Sequence, residues 1–375
     1  MALNRGLNPI FHGRKEELKQ FEFFLNHVEK DHSRTSFLIQ GAPGAGKTSL
    51  AEKCYELAQK KGWRLVRVDV PTLLDLKEFR KRLGREPLWK IWQKRKITLP
   101  LQVDKIGLKA EWNFDYHTIV KTLNAVHKPT IIGFDEAQML GHQDITSQEK
   151  LILRNVLDQL HNQRGTPKSP IIFLMNGLGR TQDILEEYDI SRFSSESVIH
   201  LTQIDRVSER NILYDWIVQK ANISPDESNL NHWISEISQH THQWPVHITA
   251  YGLQVEKHIQ EHGTKLNNEG LSVVLDKGFE SRQQYYRRRT RRLSIQECET
   301  IVSFLLLNNH PKEFTQEDLT QHLKQHLGTK QGEQVFNTAL HYGVIHQQNN
   351  KKHAVSVPSM QTWLIENFTP KHLMK

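Results

Sequence analysis

Residues 41–48 read Gly41-Ala42-Pro43-Gly44-Ala45-Gly46-Lys47-Thr48. This stretch fits the phosphate-binding template G-x-x-x-x-G-K-[S/T] at every fixed position and adds one more glycine, Gly44. A nucleotide phosphate needs several backbone N–H donors that converge on one point, and glycines allow the tight turn that brings them together. The stretch therefore predicts a loop that binds the phosphates of a nucleotide.

The flanking residues place this loop between a strand and a helix. The five residues before it, Ser36-Phe37-Leu38-Ile39-Gln40, form a short apolar run, and residues 50–60 favour a helix. The N-terminal dipole of that helix would face the anion. We expect Lys47 to reach the β- and γ-phosphate oxygens and Thr48 to place its hydroxyl on Mg²⁺. The predicted nucleotide contacts are Phe11, Gly41, Gly44, Ala45, Gly46, Lys47, Thr48 and Ser49.

Length and composition limit the class of protein. The chain has 375 residues, enough for two or three domains, and its net charge of +8 favours a polyanionic partner. Its apolar runs fall short of the roughly 20 residues of a membrane span, and its N-terminus lacks the apolar core of a signal peptide. Cys54 and Cys298 have neither disulfide-framework nor metal-site spacing. We therefore expect a cytoplasmic protein without a membrane partner.

Two adjacent carboxylates follow a second apolar run. The residues Thr130-Ile131-Ile132-Gly133-Phe134 predict a buried strand, and Asp135 and Glu136 come directly after it. Downstream of a phosphate loop, Asp135 is placed to hold the Mg²⁺ shell, and Glu136 to take a proton from the attacking water. The alternative is an acidic pair that caps the helix after the strand.

A further strand and an arginine complete the candidate site. Residues 170–175 predict a strand that ends at Asn176, and we expect it to lie between the loop strand and the carboxylate strand. There the Asn176 amide is placed to orient the attacking water, unless Asn176 is only a turn residue before Gly177. Arg192 follows a predicted helix, just before the last predicted strand at residues 197–201.

In this order and spacing, four motifs resemble the Walker A, Walker B, sensor-1 and arginine-finger positions of AAA+ ATPases. They are residues 41–48, Asp135-Glu136, Asn176 and Ser191-Arg192-Phe193. The Phe11-His12-Gly13-Arg14 segment resembles the initiator-like (origin-recognition) branch, and also related bacterial ATPases that regulate transposition or load helicases. Its backbone around Ile10 and Phe11 is expected to line an adenine pocket.

The resemblance carries implications for fold and assembly. It implies an α/β fold of the P-loop NTPase type, with a parallel sheet of order 5-1-4-3-2. It also implies that Arg192 reaches the γ-phosphate bound by a neighbouring subunit, in an ATP-dependent homo-oligomer. A surface arginine at the C-terminus of a helix is the alternative for Arg192.

Residues 203–292 predict helices and resemble the α-helical lid that follows an AAA+ core. Gln243-Trp244-Pro245-Val246-His247 looks like the sensor-2 site of that lid. Relatives often carry an arginine after the proline, where this chain has Val246. His247 either replaces that arginine or is a capping or packing residue.

Two basic segments are candidates for DNA binding. Residues 77–113 combine many lysines and arginines with Trp89 and Trp92, and alternating apolar residues around Asp104-Lys105 predict a β-hairpin. The densest basic cluster is Arg287, Arg288, Arg289, Arg291 and Arg292. Each segment either contacts nucleic-acid phosphates or is a solvated, charged face.

Residues 293–375 look like a winged helix, with three helices, a hairpin whose tip is at residues 347–352, and a closing helix. In that fold the third helix enters the major groove and the hairpin meets the DNA backbone. The third helix offers Lys330, Gln331, Gln334 and Asn337. Because this surface is polar rather than strongly basic, a winged helix that binds a protein is the alternative.

The sequence thus predicts three domains: an AAA+ core over residues 1–202, a helical lid over 203–292 and a winged helix over 293–375. The predicted activity is Mg²⁺-dependent ATP hydrolysis, used as a switch or to drive assembly on DNA, with a client protein as a further partner. The predicted catalytic residues are Glu136, Asn176 and Arg192, and the predicted metal ligands are Thr48 and Asp135. The alternatives are a signalling or defence ATPase whose winged helix binds a protein, and a nucleotide-binding scaffold that barely hydrolyses.

Overall fold

The structure is a computed structural model. It describes residues 10–31, 34–75, 78–79, 82, 128–141, 145–162, 169–190, 193–348 and 351–373. Two sequence predictions lie outside the described residues: the β-hairpin of the basic insertion, with Trp89 and Trp92, and the arginine-finger candidate Arg192.

A five-stranded sheet organises the first 201 residues. Its strands are β1 (Arg34–Gly41), β2 (Arg64–Val68), β3 (Thr130–Phe134), β4 (Ile171–Gly177) and β5 (Val198–Leu201). The strand order is β2-β3-β4-β1-β5, and the pairings β2–β3, β3–β4 and β4–β1 are parallel. This is the predicted order 5-1-4-3-2 counted from the opposite edge, so the α/β fold and its strand order are confirmed.

The central strands β3 and β4 are buried along their whole length. Every residue of β3 and β4 is buried, as parallel strands require when neither face meets water. The helices of this region are α1 (Lys15–Asp31), α2 (Lys47–Lys60), α3 (Val70–Leu74), α4 (Ser147–Asn162) and α5 (Thr181–Glu186). Gly133 allows one close approach: a side chain there would collide with the Tyr55 ring of α2.

The strand register brings the candidate site residues to one edge of the sheet. Ile39 of β1 pairs with Asn176 of β4, and Phe134 of β3 pairs with Met175. Asp135 therefore follows β3 at the level of Asn176, the second-to-last residue of β4. The carboxyl ends of parallel strands are where open α/β sheets bind ligands.

A helical region follows β5. Its helices are α6 (Arg206–Asp215), α7 (Leu230–Thr241), α8 (Pro245–His262) and α9 (Asn268–Thr290), with a π-helical turn at Trp216–Lys220. Their apolar faces enclose one core, in which Trp233 and Tyr251 are completely buried. Among the described helices, none combines the length and the apolar character that crossing a membrane requires.

The C-terminal region contains α10 (Ile295–Leu307), α11 (Gln316–Leu327), α12 (Thr329–His341), an antiparallel hairpin of β6 (Ile345–Gln347) and β7 (His353–Val355), and α13 (Pro358–Phe368). Capping boxes begin two of the helices, at Ser294 with Glu297 and at Thr315 with Asp318. The third helix starts at Thr329, directly after Gly328, whose φ of +87° ends α11.

Contacts divide the chain into two compact units. One unit contains the described residues up to Lys15, the segment Gly41–Ser49 and the residues from His200 onward. The other contains Glu16–Gln40 and Leu50–Ile199. The phosphate loop is thus grouped with the helical and C-terminal regions, whereas Asp135, Glu136 and Asn176 belong to the unit of the sheet.

Candidate nucleotide-binding site

Donors from several parts of the chain hold the carbonyl oxygens of the phosphate loop. The Lys47 ammonium lies 3.1 Å from the Gly41 oxygen and 3.0 Å from the Ala42 oxygen. The Pro43 oxygen accepts hydrogen bonds from the Trp244 indole N–H at 3.1 Å and from the Tyr285 hydroxyl at 2.9 Å. Pro43, the third residue of the loop, is therefore fixed by the start of α8 and by α9 together.

The next two carbonyls of the loop are held in the same way. The Gly44 oxygen accepts from the Val246 backbone N–H at 3.2 Å, and the Ala45 oxygen accepts from the Arg14 guanidinium at 3.3 Å. A phosphate needs N–H donors rather than carbonyl acceptors. These contacts therefore stabilise the loop without competing with a phosphate for its N–H groups.

Backbone conformation explains the glycines of the loop. Gly44 has φ +76° and Gly46 has φ +91°, values that residues with a Cβ rarely adopt. A Cβ on Gly44 would also lie 2.6 Å from the Val246 side chain. Helix α2 begins at Lys47, and Thr48 and Ser49 in its first turn are exposed. The first turn of a helix is a favourable place for an anion and for the hydroxyl of Thr48 to meet a ligand.

The segment before α1 is fixed against the same unit. Gly13 and Arg14 both have a left-handed backbone, with φ +78° and +58°. A Cβ on Gly13 would lie 2.7 Å from the Ser208 hydroxyl, and His12 Nε2 is 2.7 Å from the Asp215 carboxylate. Phe11 is half-buried in this segment, and the adenine pocket expected there stays a prediction.

Arg14 is a loop-contacting residue that the sequence analysis did not assign. Its guanidinium donates to the Ala45 oxygen of the loop and also to the Thr202 oxygen after β5. The available signal was the Gly-Arg pair directly before a helix. The distance of 31 residues between Arg14 and the loop hid the contact.

Glu136 stands in a constrained backbone conformation in the other unit. Its φ of +57° is left-handed, which costs a residue with a Cβ on the order of 1 kcal/mol. Its backbone N–H donates to the Asn176 side-chain oxygen at 3.1 Å and to an Asp135 carboxylate oxygen at 2.8 Å. Asn176 is buried and Glu136 is exposed. The buried amide thus holds the backbone that presents the glutamate carboxylate.

Gln138 is a second residue that the sequence analysis missed. Its side-chain N–H donates to the Glu136 carboxylate, and its side-chain oxygen accepts from the Leu178 backbone N–H at 3.2 Å. Gln138 is buried, so both ends of its amide need a partner. It ties the Glu136 carboxylate to the residue after β4. Its position three residues after Asp135 was the only signal in the sequence.

His247 packs inside the helical region, as one of its two expected roles required. It is 1% exposed, its Nδ1 lies 3.2 Å from the Thr241 oxygen, and its ring meets the edges of the Tyr285 and Tyr286 rings. Burial, and secondarily the positive charge of Arg282, lowers the pKa of His247 to about 3. A neutral, enclosed imidazole does not supply the positive charge of a sensor-2 arginine.

The turn before the C-terminal hairpin also meets the phosphate loop. Gly343, with φ +71°, packs against the Pro43 ring so closely that a Cβ there would collide with it. Burial is the main cause that lowers the pKa of His346 in β6 to about 4, and the Lys47 charge contributes. The loop is therefore in contact with the N-terminal segment, the helical region and the turn before the C-terminal hairpin.

The arginine cluster divides into exposed and packed members. Arg287, Arg288, Arg291 and Arg292 are exposed at the end of α9. Arg289 instead lies over the Tyr285 ring, 4.9 Å from its centroid, and its guanidinium is 3.4 Å from the Tyr342 oxygen. Tyr285 is the residue whose hydroxyl binds the Pro43 oxygen. Arg289 is thus part of the packing around the loop, and its four neighbours are available to a partner.

Within the described part of the chain, no group of three or more His, Cys, Asp or Glu side chains is arranged to hold a metal ion. Mg²⁺ does not need such a group, because it usually keeps several waters and binds one or two carboxylates together with substrate phosphates. Asp135 is half-buried after β3 and the Thr48 hydroxyl is exposed.

Comparisons with known proteins agree with this fold. Residues 37–201 match the AAA family, described as the ATPase family associated with various cellular activities. No sequence match was found among proteins of curated function. The ADP form of the ORC2 protein from Aeropyrum pernix is similar in structure, with a TM-score of 0.58 and 15% identity over 97% of this chain and 96% of that one. The ADPNP–ADP complexes of the same protein give a TM-score of 0.54 and 16% identity over 96% and 94%.

The family model spans the phosphate loop, the two carboxylates and Asn176, and the similar solved structure spans nearly the whole chain. The resemblance to the initiator-like branch is thereby confirmed at the level of the fold. Residues 37–201 of this chain match the AAA ATPase family, and the fold of the chain is similar to that of the Aeropyrum pernix ORC2 protein.

Proposed function

We propose that this chain is a Mg²⁺-dependent ATPase that acts as a switch or assembly factor on DNA, in the manner of initiators, helicase loaders or transposition regulators. The observation that carries the proposal is the geometry at Glu136. A glutamate in a left-handed backbone conformation is held by a buried asparagine at the end of the neighbouring strand. Strain of this kind is retained where a side chain must be presented in one direction.

Each site residue has a role in the proposed reaction. The N–H groups of residues 44–49 and the Lys47 ammonium bind the phosphates. Glu136 accepts the proton of the attacking water, and Asn176 and Gln138 keep its backbone and carboxylate in place. The Thr48 hydroxyl and the Asp135 carboxylate are oxygen donors of the type that Mg²⁺ prefers, so the donor set fits this ion. When bound, Mg²⁺ neutralises charge on the phosphates.

Two substitutions test the hydrolytic site. Lys47→Ala should abolish ATP binding, because it removes the cation that contacts the phosphates. Glu136→Gln should preserve ATP binding and abolish steady-state phosphate release, because the amide cannot accept the proton. Glu56→Gln on α2 is the control, since this carboxylate pairs with Lys53 on the surface. Normal turnover by either site variant would contradict the mechanism.

Arg192 is proposed to act on the ATP bound by a neighbouring subunit. This role predicts that Arg192→Ala and Glu136→Gln are each inactive alone but regain activity when mixed. In the mixture, a subunit with intact Glu136 can receive Arg192 from its neighbour. Phosphate release by the mixture measures this directly, and light scattering with a slowly hydrolysed ATP analogue measures assembly. A mixture that stays inactive, although it assembles, would place the role of Arg192 within its own subunit.

DNA is the proposed polyanionic partner. Four exposed arginines at the end of α9, together with the net charge of +8, support phosphate contacts there. The basic insertion at residues 77–113 is a second proposed contact. The order of three helices, a hairpin and a closing helix in the C-terminal region supports a winged helix as a third.

A protein-binding C-terminal region is the second candidate, and one observation favours it. The cleft between α11 and α12 is lined by two glutamates, Glu317 and Glu333, and one lysine, Lys324, which pairs with Glu333 at 2.6 Å. Gln331, offered above as a base-reading residue, donates instead to Glu297 at 3.1 Å. A surface with this charge balance does not attract phosphates. In this second function, ATP hydrolysis is unchanged and α11 and α12 recruit a client protein.

A further inference from the structure

Two consecutive residues of the helical region stand in an unfavourable backbone conformation. His242, at the end of α7, has φ +53°, and Gln243 after it has φ +58°. Both carry a Cβ, which disfavours the left-handed region. Such strain persists only where the surroundings impose it. The next residue is Trp244, whose indole N–H binds the Pro43 oxygen of the phosphate loop.

A buried carboxylate accepts hydrogen bonds from both sides of this turn. Glu209 of α6 is completely buried, and its Oε1 accepts from the Thr241 hydroxyl and from the Gln243 backbone N–H, the latter at 3.0 Å. Its Oε2 accepts from the Ser238 hydroxyl at 2.6 Å and from the Arg206 guanidinium at 2.7 Å. The four donors satisfy the carboxylate, which is otherwise costly to bury. The Oε1 atom of Glu209 therefore binds both the end of α7, at Thr241, and the turn that follows, at Gln243.

The turn leads directly to two contacts with the phosphate loop. Trp244 donates to the Pro43 oxygen, and the Val246 N–H donates to the Gly44 oxygen at 3.2 Å. Pro245 between them opens α8, so the direction of the chain at Gln243 sets where both donors lie. Glu209 itself is distant from the loop in sequence, and residues 241–246 connect the two through hydrogen bonds.

We propose that Glu209 is a positioning residue for nucleotide binding: its buried carboxylate holds residues 241–243 in the conformation that places Trp244 and Val246 on the phosphate loop. The inference rests on the proposed nucleotide site. It assigns to the helical region a preorganising role that does not need a sensor-2 arginine. A loop that is held in place before the phosphates arrive loses less conformational entropy when it binds them.

The test measures the affinity for Mg²⁺–ATP by calorimetry, on the full chain. Glu209→Gln replaces one acceptor oxygen by an N–H donor, which then faces a donor. We expect affinity to fall about tenfold, with a raised KM and little change in kcat, because Glu136 and Asn176 are untouched. Thr241→Val removes a single donor to Glu209 with little change in volume, and it should weaken ATP binding in the same direction if Glu209→Gln folds poorly.

A control and a double-mutant cycle separate positioning from stability. Asn229→Ala removes a hydrogen bond of 2.7 Å to the Leu266 oxygen elsewhere in the helical region, so it should lower Tm without changing ATP affinity. Trp244→Phe removes the donor to Pro43. If Glu209 acts through Trp244, the losses of affinity in Glu209→Gln and Trp244→Phe are less than additive when combined.

Two results would overturn the inference. In the first, Glu209→Gln and Thr241→Val lower Tm but bind ATP as tightly as the original chain. In the second, the losses of ATP affinity in Glu209→Gln and Trp244→Phe add fully when the two substitutions are combined. These results are distinct from a failure of the proposed function. If the unaltered chain binds ATP but does not hydrolyse it, the proposed reaction fails, whereas the affinity measurements still decide the role of Glu209.

Discussion

Glu136 depends on its neighbours for both its backbone and its carboxylate. Asn176 accepts from its backbone N–H, and Gln138 donates to its carboxylate. The residue is exposed, so its own packing does not restrict its side chain. The direction of the proposed base is therefore set by two buried amides, one at the end of β4 and one in the turn after β3.

Replacing Gln138 should slow hydrolysis without weakening ATP binding. In Gln138→Leu the Glu136 carboxylate loses its partner and the Leu178 N–H loses its acceptor, so the base samples other directions. We expect kcat to fall by about tenfold, within the range for a misplaced general base, with an unchanged affinity for ATP. Met139→Leu, at the exposed neighbouring position, is the control. An unchanged kcat in Gln138→Leu would show that the amide is not needed to position Glu136.

His247 links stability to pH because it is neutral in the folded chain. Its pKa is lowered by burial and by Arg282 to about 3, whereas an unfolded histidine titrates near 6.5. Between these two values the unfolded state binds more protons than the folded state. The free energy of unfolding therefore decreases as the pH falls from about 6.5 towards 3.

The variant His247→Phe isolates this contribution. It keeps an aromatic ring beside Tyr285 and Tyr286 and removes the titrating group. We expect the loss of stability between pH 6.5 and 4.5, measured by urea unfolding, to be smaller than in the unaltered chain. The affinity for ATP at pH 7.5 should change little, since a neutral buried imidazole does not contact phosphate. A large loss of ATP affinity would restore the sensor-2 role.

At the level of secondary structure, the start of α8 and the phosphate loop fit together only because the loop has glycine at position 44. The glycine allows φ +76°, and it leaves room for the Val246 side chain, which would lie 2.6 Å from a Cβ. The segment predicted as the sensor-2 site therefore contacts the loop through the Val246 backbone and its apolar side chain.

Gly44 and Gly62 both have a left-handed backbone, but only Gly44 lies where the phosphate loop meets the start of α8. Gly44→Ala should lower the affinity for ATP, because it both strains the loop and displaces Val246. Gly62→Ala is the matched control: it has φ +84° and open space around a Cβ, so it should cost stability of about 1 kcal/mol and leave ATP affinity unchanged. Adding Val246→Ala to Gly44→Ala should recover part of the lost affinity. Equal affinity in Gly44→Ala and the unaltered chain would mean that the junction does not control the loop.

At the scale of the whole chain, the phosphate loop is grouped with the regions proposed to bind partners. The loop, the helical region and the C-terminal hairpin belong to one compact unit, and Pro43 contacts Trp244, Tyr285 and Gly343. Arg289 stacks on Tyr285 and is followed by two exposed arginines. Arg289 is thus linked to the loop through the Tyr285 side chain, whose hydroxyl binds the Pro43 oxygen.

Neutralising the exposed arginines should weaken DNA binding in a salt-dependent way. We expect Arg287→Ala, Arg288→Ala and Arg291→Ala together to reduce the slope of log affinity against log salt by up to about 2.7, roughly 0.9 for each phosphate contact. The control replaces three exposed lysines of the helical region, Lys220, Lys257 and Lys265. Fluorescence anisotropy with duplex DNA at several salt concentrations gives both slopes. If the two triple variants lose the same slope, the arginines are not a dedicated DNA contact.

Local sequence patterns were sufficient for the strands and the principal motifs. Residues 41–48 indicate phosphate binding and Asp135-Glu136 indicate magnesium binding, because each of these functions needs fixed residue types within one short segment. Apolar runs of five to seven residues located β3 and β4, since strands buried on both faces are apolar throughout. The parallel order then followed from the resemblance that these motifs carry.

Contacts between residues that are distant in sequence could not be predicted from local sequence patterns. Arg14, Gln138 and Glu209 are polar residues of common types, and their roles come from partners that lie two to 188 residues away in sequence. His247 had two open roles until its burial against Tyr285 and Tyr286 was known. The sequence carries the chemistry of the phosphate loop itself, because that chemistry is local; packing alone determines what holds the loop and the base in place, because hydrogen bonds and burial depend on proximity in space.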